Sequence, residues 1–314
     1  VRALVLPARG ADPVLREVPA PSGPARVRTL AAGLNPVDLA VASGRFYLPL
    51  PEPPYVLGCE GVGEVLASAA HPTGTLVWSV RHTGGHFAEE FAAEDAALVP
   101  VPEGLPPAFA AALGIAGLAG WMPVASRGAM RPGEHVVVLG ASGVAGRVAV
   151  QAARALGAGR VVAVGRDAAS LARAAALGAD ATVRIGEGDL AAGLRDACGG
   201  GADLVVDMLW GEPLAACLGV LRRGARVVQV GSAAGQAAQV VAGPLRGGRI
   251  DVRGFSVFSE DPADLATGYR DLCRAALAGE VRLDLLEVPL SDAPAAWASQ
   301  AAGTAGRKIV LVPG

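Results

Sequence analysis

Lysine is almost missing from this chain. Of 27 basic residues, Lys308 is the single lysine and every other one is arginine. A guanidinium stays charged, forms no Schiff base and is a poor proton donor, so a catalytic lysine is not expected. A Tyr-x-x-x-Lys proton-transfer pair is excluded as well, because Pro51, Cys59 and Cys273 stand four positions beyond Tyr47, Tyr55 and Tyr269. Aromatic residues make up only 4% of the chain and histidines number 4, which leaves few side chains able to move a proton. The 4 cysteines are scattered without a CxxC, giving neither a disulfide framework nor a zinc knuckle. No basic cluster occurs and the net charge is −2, which argues against a nucleic-acid or membrane-surface partner. Apolar runs such as 136–146 are too short and too glycine-rich to span a bilayer, and no leader pattern opens the sequence. With 52% hydrophobic and 18% charged residues, disorder is excluded. A soluble, cytoplasmic globular protein is expected.

At 314 residues there is room for two domains. Short strand-like runs at 2–6, 26–32, 63–66, 75–80 and 97–101 are punctuated by Gly and Pro, and a helix is expected over 36–43. This texture predicts a compact β-domain with long loops. An alanine-rich helical stretch begins near 106. From 134 onward, apolar runs alternate with helical spacing: strands at 135–139, 160–164, 181–185, 203–209 and 225–230, and helices at 144–156, 169–177, 189–197 and 213–221. Continuous Val/Leu/Ile runs between helices predict a parallel sheet buried on both faces. Another strand is expected at 249–257, then a helix at 263–278 and a closing strand at 308–312. The fold class is α/β.

The strongest signal is Val136-Val137-Val138-Leu139-Gly140-Ala141-Ser142-Gly143-Val144-Ala145-Gly146. Glycines spaced three apart between a strand and a helix allow a tight turn, close approach of a phosphate to the backbone, and close helix–strand packing. The free N–H groups of the helix N-terminus then hold a pyrophosphate. Gly140, Ala141, Ser142, Gly143, Val144 and Ala145 are therefore the expected dinucleotide contacts. At the end of the next strand stand Val164-Gly165-Arg166-Asp167. Gly165 lies about twenty residues beyond the glycine loop, where NAD-binding sheets place an acid for the ribose 2′-hydroxyl. Gly165 leaves room there, and Arg166 offers a planar fork to a 2′-phosphate. This favours NADPH, whereas Asp167 facing the ribose in place of Gly165 would favour NAD.

Further motifs follow in a fixed order: Ala32-Gly33-Leu34-Asn35-Pro36-Val37-Asp38, Gly58-Cys59-Glu60-Gly61-Val62-Gly63, Pro132-Gly133-Glu134, and Arg223-Gly224-Ala225-Arg226-Val227-Val228-Gln229-Val230-Gly231. Together with the glycine loop, they make nearly the whole chain resemble the zinc-independent branch of the medium-chain dehydrogenase/reductase superfamily, the quinone oxidoreductase-like proteins. The resemblance implies a GroES-like β-domain (1–105 and 258–314) beside a Rossmann NADPH-binding domain (106–257), with the active site in the cleft between them. It also implies a homodimer, for which the 249–257 edge strand is the expected contact. The implied activity is NADPH-dependent reduction of quinones or of α,β-unsaturated carbonyls. Two alternatives stay open: a biosynthetic enoyl reductase with one tailored substrate, and a non-catalytic NADPH-binding interaction protein.

Zinc-dependent relatives carry Cys where this chain has Asn35 and His where it has Cys59, so no metal is expected; His82 and His86 read as loop residues. Without metal, hydrogen-bond donors must stabilise the negative charge that develops on the substrate oxygen. Asn35 is the first candidate and Tyr47 the second. Many relatives have a Tyr where this chain has Ala40, and their other aromatic position falls at Phe46. Asp38 is expected to brace its loop. Trp210, at the end of a Rossmann strand, is expected to stack beside the cofactor or wall the substrate pocket. Gly231, Ser232, Phe255 and Ser256 match positions where the family contacts the nicotinamide end.

Overall fold

The computed structural model describes residues Val1–Gly314 and resolves into two compact units. Unit 1 comprises Val1–Ala116, Asp261–Leu277 and Leu283–Gly314, and unit 2 comprises Gly117–Glu260 and Ala278–Arg282. The first division falls at Ala116/Gly117, later than the 105/106 boundary given with the resemblance. The helix that follows residue 105 packs on strands of unit 1 and so belongs to it.

Unit 1 opens with β1 (Arg2–Leu6), β2 (Val14–Glu17), β3 (Ala25–Gly33), α1 (Pro36–Ala42), β4 (Tyr55–Val56), β5 (Glu60–Ala67), β6 (Leu76–Val80), β7 (Glu90–Ala93), β8 (Val99–Pro100) and α2 (Pro107–Ala112). The sequence reading missed β2, β4 and β7. Their 2–4 residues are too few for alternation to register. At the end of β3 the chain turns into α1 through Asn35. The Asn35 N–H donates to Asp38 Oδ2 (2.8 Å), and the Cys59 N–H donates to Asp38 Oδ1 (2.8 Å). Asp38 therefore braces the turn from both sides. It is fully buried, and burial pushes its ionisation up to about 6 against the opposing hydrogen bonds from Asn35 and Cys59.

The apolar stretch Pro107–Ala125 is longer than any run noted in the sequence. It is not one helix: a π-turn at Leu113–Gly117 breaks it, with Gly114 at φ −58°, ψ −116°. Most of the stretch is buried, as in a core helix.

Unit 2 continues with α3 (Leu118–Ala125), β9 (His135–Leu139), α4 (Val144–Ala155), β10 (Arg160–Gly165), α5 (Ala168–Ala176), β11 (Ala181–Arg184), α6 (Leu190–Cys198), β12 (Ala202–Asp207), α7 (Glu212–Cys217), β13 (Leu221–Gln229), α8 (Ala242–Gly248) and β14 (Asp251–Gly254). All six strands pair in parallel, in the order β11-β10-β9-β12-β13-β14. The valines of β9, β10, β12 and β13 are buried to 1% exposure or less, as expected for a sheet covered on both faces. Strand β14 is shorter than the 249–257 run: it ends at Gly254, and the Phe255 N–H makes the last bond of the ladder, to Gln229 O (2.9 Å). Helix α3 lies against α4 at Gly120, where an added Cβ would sit 2.7 Å from Val148 Cβ and collide with Ala145 O.

The chain returns to unit 1 through α9 (Pro262–Leu277), β15 (Leu285–Pro289), α10 (Ala293–Ala302) and β16 (Lys308–Val312). Strand β16 joins β15 to β3, completing a seven-stranded sheet ordered β15-β16-β3-β5-β6-β8, with β7 on β3. The Tyr269 hydroxyl of α9 donates to Ala110 O of α2 (2.9 Å), and its ring stacks on Trp78 at 4.5 Å.

Two stability outcomes follow. Gly120→Ala lowers the unfolding free energy by about 1–3 kcal/mol by overpacking α3 on α4. Gly219→Ala, where nothing lies within 4 Å of the added Cβ, changes it by less than about 0.5 kcal/mol; urea denaturation separates the two. For Asp38, the folded value of about 6 lies above the ordinary value of 3.8, so its contribution is full at low pH and is lost as pH rises through about 6. The stability advantage of wild type over Asp38→Asn therefore shrinks by roughly 3 kcal/mol between about pH 4 and about pH 7, as measured by urea titration at each pH.

Candidate functional site

In unit 2 the strand order reverses beside β9, between β10 and β12. In open α/β sheets, ligands settle outside the carboxyl ends of the strands at such a reversal. Gly140, directly after β9, has φ +88°, a conformation that L side chains rarely adopt. Its N–H and that of Ala141 both donate to Val164 O (2.9 Å each), tying the turn to β10. Gly146 lets α4 approach that turn: a Cβ there would lie 2.7 Å from Ala141 Cα and overlap Gly140 O. Gly143 is the N-cap of α4 and supplies no side-chain cap. The first N–H groups of a helix have no intrahelical acceptor, so Val144 and Ala145 offer donors and the positive end of the helix dipole to an anion. This cradle fits the pyrophosphate of a dinucleotide.

The end of β10 lies alongside. An added Cβ at Gly165 would sit 3.1 Å from Ser142 Oγ, which places Ser142 over the position where a ribose-binding acid would stand. Arg166 is exposed. Asp167 is committed elsewhere: it caps α5, accepting the Ser170 N–H (2.7 Å). That bond, with Arg173 and Arg184 nearby, holds its carboxyl below the usual range. Arg173 bonds Ser170 Oγ (2.7 Å), and Arg184 donates to Arg166 O (2.9 Å) and pairs with Glu187. Three arginines thus gather where the sequence suggested one.

The other expected contacts line the same sheet edge. After β12, Asp207 is buried and its Oδ1 accepts the N–H groups of Leu209 (2.8 Å) and Trp210 (2.9 Å). This turn holds Trp210 in the left-handed region at φ +59°, uncommon for a bulky residue. The strand read as 203–209 therefore ends at Asp207. Gly231 packs against Met208 O and donates to Asp207 O (3.2 Å). Ser232 Oγ accepts from Gln236, and Ser256 Oγ accepts from the Phe258 N–H. Gly140–Ala145, Gly165, Trp210, Gly231, Ser232, Phe255 and Ser256 all follow the carboxyl ends of strands in one sheet.

In unit 1 the two expected catalytic residues separate. Tyr47 lies on the loop after α1, 64% exposed, with its ring 4.5 Å from Phe46. Asn35 is 2% exposed and fully bonded. Its Nδ2 donates to Gly33 O (2.9 Å) and Glu60 Oε1 (2.7 Å), and its Oδ1 accepts from Lys308 Nζ (2.5 Å). Both amide protons are taken, so a substrate oxygen finds no free N–H on this side chain. Tyr47 is not among its partners. The central group is Glu60, which also accepts from Ile115 N (2.6 Å) and Trp78 Nε1 (3.2 Å). Glu60, Lys308 and Trp78 escaped the sequence reading. The available signal was the solitary lysine, read there only as the lack of a catalytic lysine.

The positions that carry zinc ligands in zinc-dependent relatives do not fit a metal here. Asn35 is locked by the bonds above. Burial, with Asp38 and Glu60 beside it, pushes the Cys59 thiol well up, away from the thiolate a zinc ion binds. No three His, Cys, Asp or Glu side chains converge on a common point.

Residues 143–272 match the family described as zinc-binding dehydrogenase, and residues 21–103 match the alcohol dehydrogenase GroES-like domain. The quinone oxidoreductase of Thermus thermophilus, solved alone and with NADPH, is 30% identical to this chain. The match covers 99% of this chain and 100% of that one, with a TM-score of 0.82. A polyketide synthase for phenolphthiocerol synthesis from Mycobacterium bovis, Pks15/1, is 32% identical over 255 residues, 79% of this chain but 12% of that protein. The human mitochondrial enoyl-[acyl-carrier-protein] reductase is 32% identical over 136 residues, 42% of this chain and 36% of that one. This chain thus spans a small part of the length of those two proteins. The GroES-like and dinucleotide-fold matches, with a relative alike from end to end, show that the chain belongs to the medium-chain dehydrogenase/reductase superfamily of oxidoreductases, in its quinone oxidoreductase-like branch.

Proposed function

We propose that this protein binds NADPH along the carboxyl edge of the unit 2 sheet and reduces a quinone or an α,β-unsaturated carbonyl without metal. The observation that carries the coenzyme choice is the pairing of Gly165 with a capped Asp167. At Gly165 the ribose 2′ position would find Ser142 and Leu171 closest in place of an acid, and Arg166, Arg173 and Arg184 supply positive charge for a 2′-phosphate. Bound there, NADPH supplies a hydride. The chain's own part is to fix the pyrophosphate on the α4 N-terminus and to keep the turn after β12 rigid through Asp207. Because both Asn35 protons are engaged, Asn35 shapes the turn and leaves protonation of the product to another donor; Tyr47, exposed on its loop, and solvent are the sources we propose.

A second reading, reduction of an enoyl thioester, is favoured by the likeness to a polyketide synthase and to a carrier-protein enoyl reductase. A second copy of the chain, pairing along β14, is the partner we expect, since this edge strand leaves Val252 47% exposed; sedimentation equilibrium reads the mass.

Coenzyme oxidation followed at 340 nm with benzoquinone, an aliphatic enone and a crotonyl thioester tests both readings. Turnover of the quinone or enone with NADPH supports the first, thioester-only turnover selects the second, and no turnover on all three sinks both. Arg166→Ala raises KM for NADPH about tenfold or more with little change for NADH. Equal effects on both coenzymes count against the 2′-phosphate assignment.

A further inference from the structure

The one lysine plays no part in the reading above, yet its surroundings are specific. Lys308 opens β16 and is 3% exposed. Its ammonium donates to Leu34 O (3.1 Å), Asn35 Oδ1 (2.5 Å) and Glu60 Oε1 (3.4 Å). Three acceptors for three protons is the capacity of an ammonium; a planar guanidinium needs more room and a flat array of acceptors. That room is lacking, because even a Cβ on Gly33 would lie 3.0 Å from Nζ and overlap Glu60 Oε1. A chain that uses arginine at every other basic position keeps lysine where only lysine fits.

The ammonium has two effects on the Asn35 turn. It selects which end of the Asn35 amide faces β16, since only the oxygen can meet an NH₃⁺, and so directs Nδ2 toward Glu60 and Gly33. It also balances the Glu60 carboxylate, which is 0% exposed. An uncompensated carboxylate buried beside this turn would oppose the growth of negative charge on a substrate oxygen.

We propose that Lys308 is a positioning residue for reduction: by orienting Asn35 and pairing with the Glu60 carboxylate it holds the Asn35 turn of unit 1 in shape. The inference rests on the proposed carbonyl reduction. The ionisable groups that bear on the pair are Asp38 on the Lys308 side, and Cys59 and Tyr269 on the Glu60 side. None of them is a cation, so removing the lysine leaves the Glu60 carboxylate to neutral donors alone: Asn35 Nδ2, Ile115 N and Trp78 Nε1.

The test compares wild type with Lys308→Met, Lys308→Gln and the double variant Lys308→Met/Glu60→Gln, each confirmed as folded by circular dichroism. Lys308→Met is expected to lose about a hundredfold in kcat, while NADPH affinity, read by fluorescence titration, stays within about twofold because the glycine loop is untouched. The double variant, which leaves no carboxylate without its counter-ion, recovers at least about tenfold of that loss. Lys308→Gln serves as the reporter should the methionine variant not fold. Wild-type kcat in the lysine variants, or a double variant no faster than Lys308→Met, overturns the proposal. If wild type itself reduces no quinone or enone, the functional reading fails and the pair is judged on urea midpoints: a double variant more stable than Lys308→Met supports the charge pairing, and one no more stable overturns it.

Discussion

Much of unit 1 is arranged around one buried carboxylate. Placing Glu60 at 0% exposure is costly unless every lone pair finds a donor, and four donors converge: Asn35 Nδ2, Lys308 Nζ, Ile115 N and Trp78 Nε1. They come from the turn before α1, the closing strand, the π-turn and strand β6. Satisfying one side chain therefore fixes the mutual register of four segments far apart in sequence. Two glycines make this geometry reachable, since a Cβ at Gly33 or Gly114 would collide with the carboxylate oxygens. The break in the Pro107–Ala125 stretch has the same origin. A regular helix would commit Ile115 N to its own backbone, and the π-turn at Gly114 presents it to Glu60 instead.

Unit 2 solves a different problem, that of holding an anion without a basic side chain at its centre. The sheet is regular and apolar up to its carboxyl edge. There β9 and β12 give way to turns stabilised by backbone or carboxylate hydrogen bonds: Gly140 and Ala141 on Val164 O, Leu209 and Trp210 on Asp207. The donors left over belong to the start of α4, where the dipole favours negative charge. Charge from arginine enters only at the periphery, around Ser170 and Arg184. The edge thus separates into a cradle of backbone donors and a corner where Arg173 and Arg184 stand among Asp167 and Glu187.

The extent to which this was legible in the sequence follows from the range of the interactions. Strands β9 and β16 appear at the bounds read from apolar runs alone, because a strand buried on both faces writes its identity residue by residue. The glycine loop was legible for a related reason: backbone conformations closed to other residues must be recorded as Gly. Strands β2, β4 and β7 left no such record, and the switch at Asp207, where an apolar run continues past the strand into a tight turn, misled the reading by two residues. The Asn35 site was legible as a position and not as a role. What determines the role is the identity of its partners, and these lie 25 and 273 residues away, beyond any local pattern.

The sole lysine and the acid-free end of β10 illustrate opposite ways in which composition carries function. At Gly165 the informative feature is a side chain that is missing, and its meaning depends on the neighbouring acid, Asp167, being occupied as a helix cap. At Lys308 the informative feature is a residue type the chain avoids everywhere else. Arginine covers the exposed ion pairs, such as Arg2–Glu89 and Arg26–Glu90, where a planar fork and permanent charge are advantages and little depends on size. In the interior of unit 1, an ion with three compact donors is needed between a backbone carbonyl, an amide oxygen and a carboxylate. A residue type reduced to one copy is thus a structural measurement in its own right: it marks the place where shape, and not charge alone, decides.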